Sequence, residues 1–171
     1  PHVFVTSLQM KSRSVLGALA ALGGSAFVHR AGIVGLRKDL AALSGLLREG
    51  FPVCLFPEST TSNGQDVLPF KSGLMASACN AGVAALPVCV TYSGQGKQPV
   101  TEMVYYDGRQ SFPMHAFRLL SLPRLTVTIT VLDQIDAVGE GREAATLKAY
   151  QLIRSEHAGS KSGTRTAAAP E

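Results

Sequence analysis

Residues Phe51 to Gly64 read FPVCLFPESTTSNG. Within them, Val53 to Phe56 is a continuous apolar run, the pattern of a strand covered on both faces. The run leads straight into Pro57, then Glu58, then a hydroxyl-rich stretch of turn formers. In open α/β sheets, ligands gather at the carboxyl ends of parallel strands. Glu58 therefore stands where a site would be. The same position also suits a surface turn in which Glu58 or Ser59 caps local backbone.

Toward the N-terminus, Leu36, Leu40, Leu43 and Leu47 recur at four- and three-residue steps. That spacing predicts an amphipathic helix ending at Gly50. Before it, Ala26 to Arg30 (AFVHR) reads as a short strand, and Gly23-Gly24 stops a helix over Ser12 to Ala21. His2 to Thr6 is apolar and β-branched, a further strand. Toward the C-terminus, Ser72 to Ala81 is a small-residue helix closed by Gly82, and Ala85 to Tyr92 is a buried strand. Strands alternating with helices in this order predict an α/β fold with a mainly parallel central sheet flanked by helices. Beyond it the expectations are a strand at Thr101 to Tyr106 and a short helix around Ala116 to Leu120. Arg124 to Leu132 alternates strictly, as a strand with one face covered does, and Gly141 to His157 reads as a terminal helix. The length of 171 residues suits one domain. We place it at residues 1–157, with a disordered tail at 158–171.

Hydrophobic residues make up 46% of the chain, enough for a sizeable core, and charged residues only 16%. A surface poorer in charge than usual suits a protein that works on lipid or has a partner. The net charge of +4 is mildly basic. No long Lys/Arg run precedes the tail, so nucleic acid is not an expected partner, and an anionic membrane surface fits better. The cysteines Cys54, Cys79 and Cys89 each sit in an apolar stretch, without metal-like pairing and in odd number. They read as buried reduced thiols, with no metal site. Val15 to Val28 is too short to span a bilayer. With Lys11 and Arg13 at one end and Arg30 at the other, it suits a helix lying near anionic lipid, or an ordinary core helix packed on the sheet.

Arg30 ends the apolar run AFVH and so also lies at a strand's carboxyl end. Its guanidinium fork matches a phosphate through paired hydrogen bonds. A plain ion pair with Glu58 or another carboxylate is the alternative.

Three segments in order resemble the motifs of the lysophospholipid acyltransferase family, which includes the lysophosphatidic acid acyltransferases. GSAFVHR at Gly24 to Arg30 resembles its second motif, FPESTTSNG at Phe56 to Gly64 its third, and ALPVCVTY at Ala85 to Tyr92 its fourth. The likeness runs over about Pro1 to Ala137. It implies a glycerolipid acyltransferase-like fold at the cytoplasmic membrane face. The implied reaction is transfer of a fatty acyl group from an acyl thioester (acyl-CoA or acyl-carrier protein) to a lysophospholipid hydroxyl, without a cofactor. Arg30 would then grip the acceptor's phosphate, Glu58 would bind its glycerol or orient Arg30, and Ser59 and Thr60 would offer donors beside the phosphate. Pro87 would shape the strand behind the donor site. Ser59 replaces the family's usual Gly, so the backbone there loses freedom. Thr61 stands where many lysophosphatidic acid enzymes carry a second Arg, which weakens the case for a phosphate monoester.

The family's general base is a His with an orienting Asp five positions later. Five residues after His2, His29, His115 and His157 stand Ser7, Val34, Leu120 and Ser162. No catalytic residue is therefore assigned in this chain. The expectation is a fragment that begins just after the base motif and is inactive alone. The alternative is a noncatalytic lipid- or acyl-binding domain of the same fold. His29 sits beside Arg30 and reads as a neighbour of the site.

Overall fold

The computed structural model describes residues 2–7, 18, 21–28, 33–94, 103–106, 108 and 111–163. Its strands are β1 (Val3–Ser7), β2 (Ala26–Val28), β3 (Val53–Cys54), β4 (Val88–Gly94) and β5 (Leu125–Val131). Its helices are α1 (Ile33–Arg48), α2 (Ala76–Ala81), α3 (Phe112–Leu120), α4 (Ala137–Glu140) and α5 (Arg142–Gly163). The chain falls into two compact units: residues 1–57, 71–85 and 136–146, and residues 58–70, 86–135 and 147–171.

The first unit carries the expected parallel sheet. Its strand order is β2-β1-β3, and both pairings are parallel. Two crossovers that each return in the same direction require this arrangement. Val5, Val28 and Leu43 form its buried centre, with Leu46, Val53, Leu55 and Leu74 packed against them. Leu43 belongs to the leucine stripe of α1, so the helical spacing identified the buried face correctly. Ser44, on the same helix, is buried yet satisfied. Its hydroxyl lies 2.8 Å from the Leu40 carbonyl and 3.2 Å from that of Ser77, joining α1 to the start of α2. The Cys79 thiol donates to the Ala137 carbonyl at 3.0 Å. Gly82 ends α2 with φ +74°, a left-handed conformation that glycine adopts without steric cost.

The second unit is built on an antiparallel ladder in which β4 and β5 pair from Val88↔Val131 to Gly94↔Leu125. The sequence order alone places β4 in the parallel sheet. Its observed partner is instead β5, which follows it after α3. Pro87 is buried at the mouth of the ladder and accepts from Leu132 N–H at 3.0 Å. Pro87 stands just before β4, so its missing N–H takes nothing from the ladder.

Three further expectations change. The alternation of β5 is real, but its apolar side is not covered: Val127, Ile129 and Val131 are exposed, as are their neighbours Val88 and Val90 on β4. Met103 and Val104 are helical, not part of a strand. The terminal helix α5 runs through Gly163, six residues past His157. Residues 158–163 contain no proline, so nothing in them forces a break in the helix begun upstream. Within Val15 to Val28, Ala26–Val28 is β2 and Val28 is buried. That end of the segment is thus core strand, while Lys11 and Arg13 lie outside the described residues. Among the described residues, no helix is long and apolar enough to cross a membrane.

Candidate acceptor site

Because β2 and β3 flank β1 and run parallel to it, their carboxyl ends open on the same side of the sheet. One intervening strand separates them by roughly 10 Å. Beyond β2 the chain leads to Arg30, which lies outside the described residues. Beyond β3 it leads to Pro57, whose carbonyl accepts from Lys71 N–H at 2.9 Å and so closes the neck of the loop that follows.

That loop, residues 58–70, is internally braced. The half-buried Glu58 carboxylate accepts from Leu68 N–H at 3.0 Å. This is the local backbone cap that the position allowed for, and it fixes where the carboxylate sits. A lost cap of this kind would leave a part-buried N–H without its partner, at a cost of about 1–3 kcal/mol. Ser62 and Asn63 turn the chain by accepting from Gly64 and Gln65 N–H groups at 3.2 and 3.1 Å. Asp66 accepts from Val67 N–H at 2.8 Å and forms a forked pair with Arg154 of α5, at 3.2 and 3.0 Å. The Arg154 hydrogen bonds hold the Asp66 carboxyl below its ordinary range. Phe70 meets the Tyr150 ring edge-on at 5.5 Å.

Ser59 has φ +59° and is the only non-glycine residue in the left-handed region among the described residues. A glycine at this point would adopt that conformation freely, whereas an L side chain resists it by roughly 1–2 kcal/mol. Glycine's greater freedom in the unfolded chain offsets part of the difference. Ser59→Gly should therefore raise stability by about 0.5–1 kcal/mol in urea unfolding, while Ser59→Ala, which keeps the backbone strain, should not share the gain. Thr60 is exposed, with its hydroxyl 3.5 Å from the Thr61 carbonyl, long for such a bond.

Two contacts in this region carry no local sequence signal. The Tyr105 ring packs directly over the backbone of Gly64 and meets Tyr92 edge-on at 5.9 Å. Asp66 finds Arg154 across most of the second unit's sequence. Only the Ser-Asn-Gly turn itself was readable in advance. A shallow groove of about 670 Å³, lined by Asp66, Tyr150, Arg154 and His157, adjoins this edge of the loop and does not include Glu58, Ser59 or Thr60. Among the described residues, no group of three or more His, Cys, Asp or Glu is arranged to hold a metal.

Comparison with known proteins follows the same outline. The family profile Acyltransferase matches residues 1–91, which contain β1 to β3, α1, α2 and the loop after β3. A lyso-ornithine lipid O-acyltransferase of Pseudomonas aeruginosa is 31% identical over 97% of this chain and 63% of its own length. A 1-acyl-sn-glycerol-3-phosphate acyltransferase of Neisseria gonorrhoeae is 30% identical over 90% of this chain and 60% of its own. The crystal structure of the 1-acyl-sn-glycerophosphate acyltransferase from Thermotoga maritima superposes with a TM-score of 0.62, at 19% identity, over 94% of this chain and 57% of that one. It shows the shared α/β fold. The chain thus spans about three-fifths of the length of these curated relatives. With the family profile matching more than half of its residues, the chain belongs to the Acyltransferase family.

Proposed function

We propose that this chain is the acceptor-binding core of an enzyme that moves a fatty acyl group from an acyl thioester to the free hydroxyl of a lysolipid, at the cytoplasmic face of a membrane. The observation that carries this reading is the family match over residues 1–91, which includes Arg30 and the braced Glu58–Gly64 loop. In the reaction, the acceptor oxygen bonds to the thioester carbonyl carbon and the carbon–sulfur bond breaks. The hydroxyl proton passes through a general base to the leaving thiolate. In this reading Arg30 grips the anionic head of the acceptor, Leu68-capped Glu58 braces its own loop, and Ser59 and Thr60 on that loop offer hydrogen-bond donors to the acceptor. The donor is acyl-CoA or an acyl-carrier protein, and no cofactor takes part.

Relatives named for two different acceptors, one a phosphate and one an ornithine lipid, make the head group the natural test. Thioester consumption should be followed with 1-acyl-glycerol-3-phosphate and with lyso-ornithine lipid, using the chain joined to a segment bearing His-x-x-x-x-Asp. Arg30→Lys should lower kcat/KM for the phosphate acceptor by about tenfold or more, because the charge remains but the fork is lost. An unchanged rate with Arg30→Lys would remove Arg30 from the site. Binding of lysolipid without turnover, with the base pair present, would favour a noncatalytic lipid-binding domain.

A further inference from the structure

We propose that α3 is a membrane-contact element whose outward apolar stripe, Met114, Phe117 and Leu120, seats in the headgroup–acyl boundary of an anionic lipid surface. The helix is amphipathic in the reverse sense to a core helix. Met114, Phe117 and Leu120 are 57%, 73% and 84% exposed, while His115 is buried on the inner side against the Tyr106 ring. A helix that packed on a core in water would turn these residues the other way. The three apolar positions recur at three-residue steps, so they form one stripe along the helix.

Charge identifies the occupant. From Gly108 to Leu132 the sequence has no Asp or Glu, and it carries Arg109, Arg118 and Arg124. Among the described residues, Arg118 is half-buried on the helix with its guanidinium 3.5 Å from Met103 Sδ, and Arg124 is exposed just before β5. A segment with this sign and no carboxylate suits anionic lipid, a basic residue near the surface contributing about fivefold to binding. A symmetric contact between two copies would set this carboxylate-free, arginine-bearing segment against itself, which disfavours that occupant. At nine residues, α3 is far too short to span a bilayer and would lie in its plane. The proposal rests on the acyltransferase reading only in supposing that lipid is at hand. Vesicle binding needs no turnover, so the two readings fail separately.

The test is sedimentation of the 171-residue chain with vesicles of equal phosphatidylglycerol and phosphatidylcholine. The Phe117→Ser/Leu120→Ser variant should bind about tenfold or more weakly, with an unchanged far-UV CD spectrum because both side chains are exposed. Leu147→Ser, at an exposed apolar position of α5, should bind as the wild type does. The chain contains no Trp, so Phe117→Trp inserts a single reporter. Its emission should shift to the blue on vesicles and be quenched by brominated acyl chains. Absence of wild-type binding, equal binding by the double variant, or a Phe117→Trp emission unmoved by vesicles would each overturn the proposal. A vesicle-free dimer abolished by Phe117→Ser/Leu120→Ser would overturn it too, and would assign the stripe to a second copy.

Discussion

Thioester consumption by these 171 residues alone should stay about a hundredfold to ten-thousandfold below that of the same chain joined to a segment bearing His-x-x-x-x-Asp. The acceptor is an alcohol, and at neutral pH an alcohol attacks a thioester slowly unless a positioned base removes its proton. Each histidine here can be judged for that task. His2 is exposed immediately before β1, and Ser7 stands where the orienting Asp is needed. His115 is buried in α3 with its ring 5.1 Å from that of Tyr106. His157 is buried in α5 beside the Asp66–Arg154 pair, which is not the loop edge that carries Glu58. His29 adjoins Arg30 but has Val34, not Asp, five residues on. A thioester-consumption assay with several lysolipids, on the isolated chain and on the joined chain, checks the expectation. His29→Ala should leave the residual rate of the isolated chain unchanged. Comparable turnover by the two forms would defeat the claim, and loss of that turnover in His29→Ala would then identify the base.

The parallel sheet was legible because each of its signals is local. The apolar runs that hold β1, β2 and β3, the leucine stripe of α1 and the stop at Gly82 all act within a few residues, although the run Val53–Phe56 is strand only at Val53–Cys54 and Phe56 is exposed, not covered. The crossover rule then leaves few topologies. The ladder of the second unit was less legible. Alternation in Arg124–Leu132 reports a period of two, and that much was right. It does not report what lies against either face, because burial is decided by elements distant in sequence. The exposure of Val127, Ile129 and Val131 is therefore invisible to a local reading, as is the outward turn of Phe117. The candidate site divides the same way. Glu58 was placed by its position after a strand, and the two roles open to it from sequence were both plausible physically. Its bond to Leu68 N–H spans ten residues of irregular loop, which no periodicity describes.

The Gly64 contact belongs to that unreadable class and sets the largest stability effect expected in the loop. Gly64 is buried with φ +66°, and a Cβ at this position would run into the Tyr105 ring. Gly64→Ala therefore meets two separate penalties. The left-handed backbone costs an L residue roughly 1–2 kcal/mol. The overpacking costs about 1–3 kcal/mol more, because the added methyl meets the body of the aromatic ring, not the end of a flexible chain. Partial burial raises the Tyr105 hydroxyl above its ordinary pKa. Together the penalties predict a loss of about 3 kcal/mol in urea unfolding. A double-mutant cycle separates them. In a Tyr105→Ala background the ring is gone, so Gly64→Ala should cost only the backbone part, and the coupling should be about 1–3 kcal/mol. A coupling near zero would mean that Tyr105 does not pack on Gly64. The same loop thus responds in opposite directions to glycine: adding one at Ser59 relieves a strained backbone, while removing the one at Gly64 strains the backbone and opens a clash. Urea midpoints for Ser59→Gly and Gly64→Ala should accordingly move apart, upward and downward from the wild type.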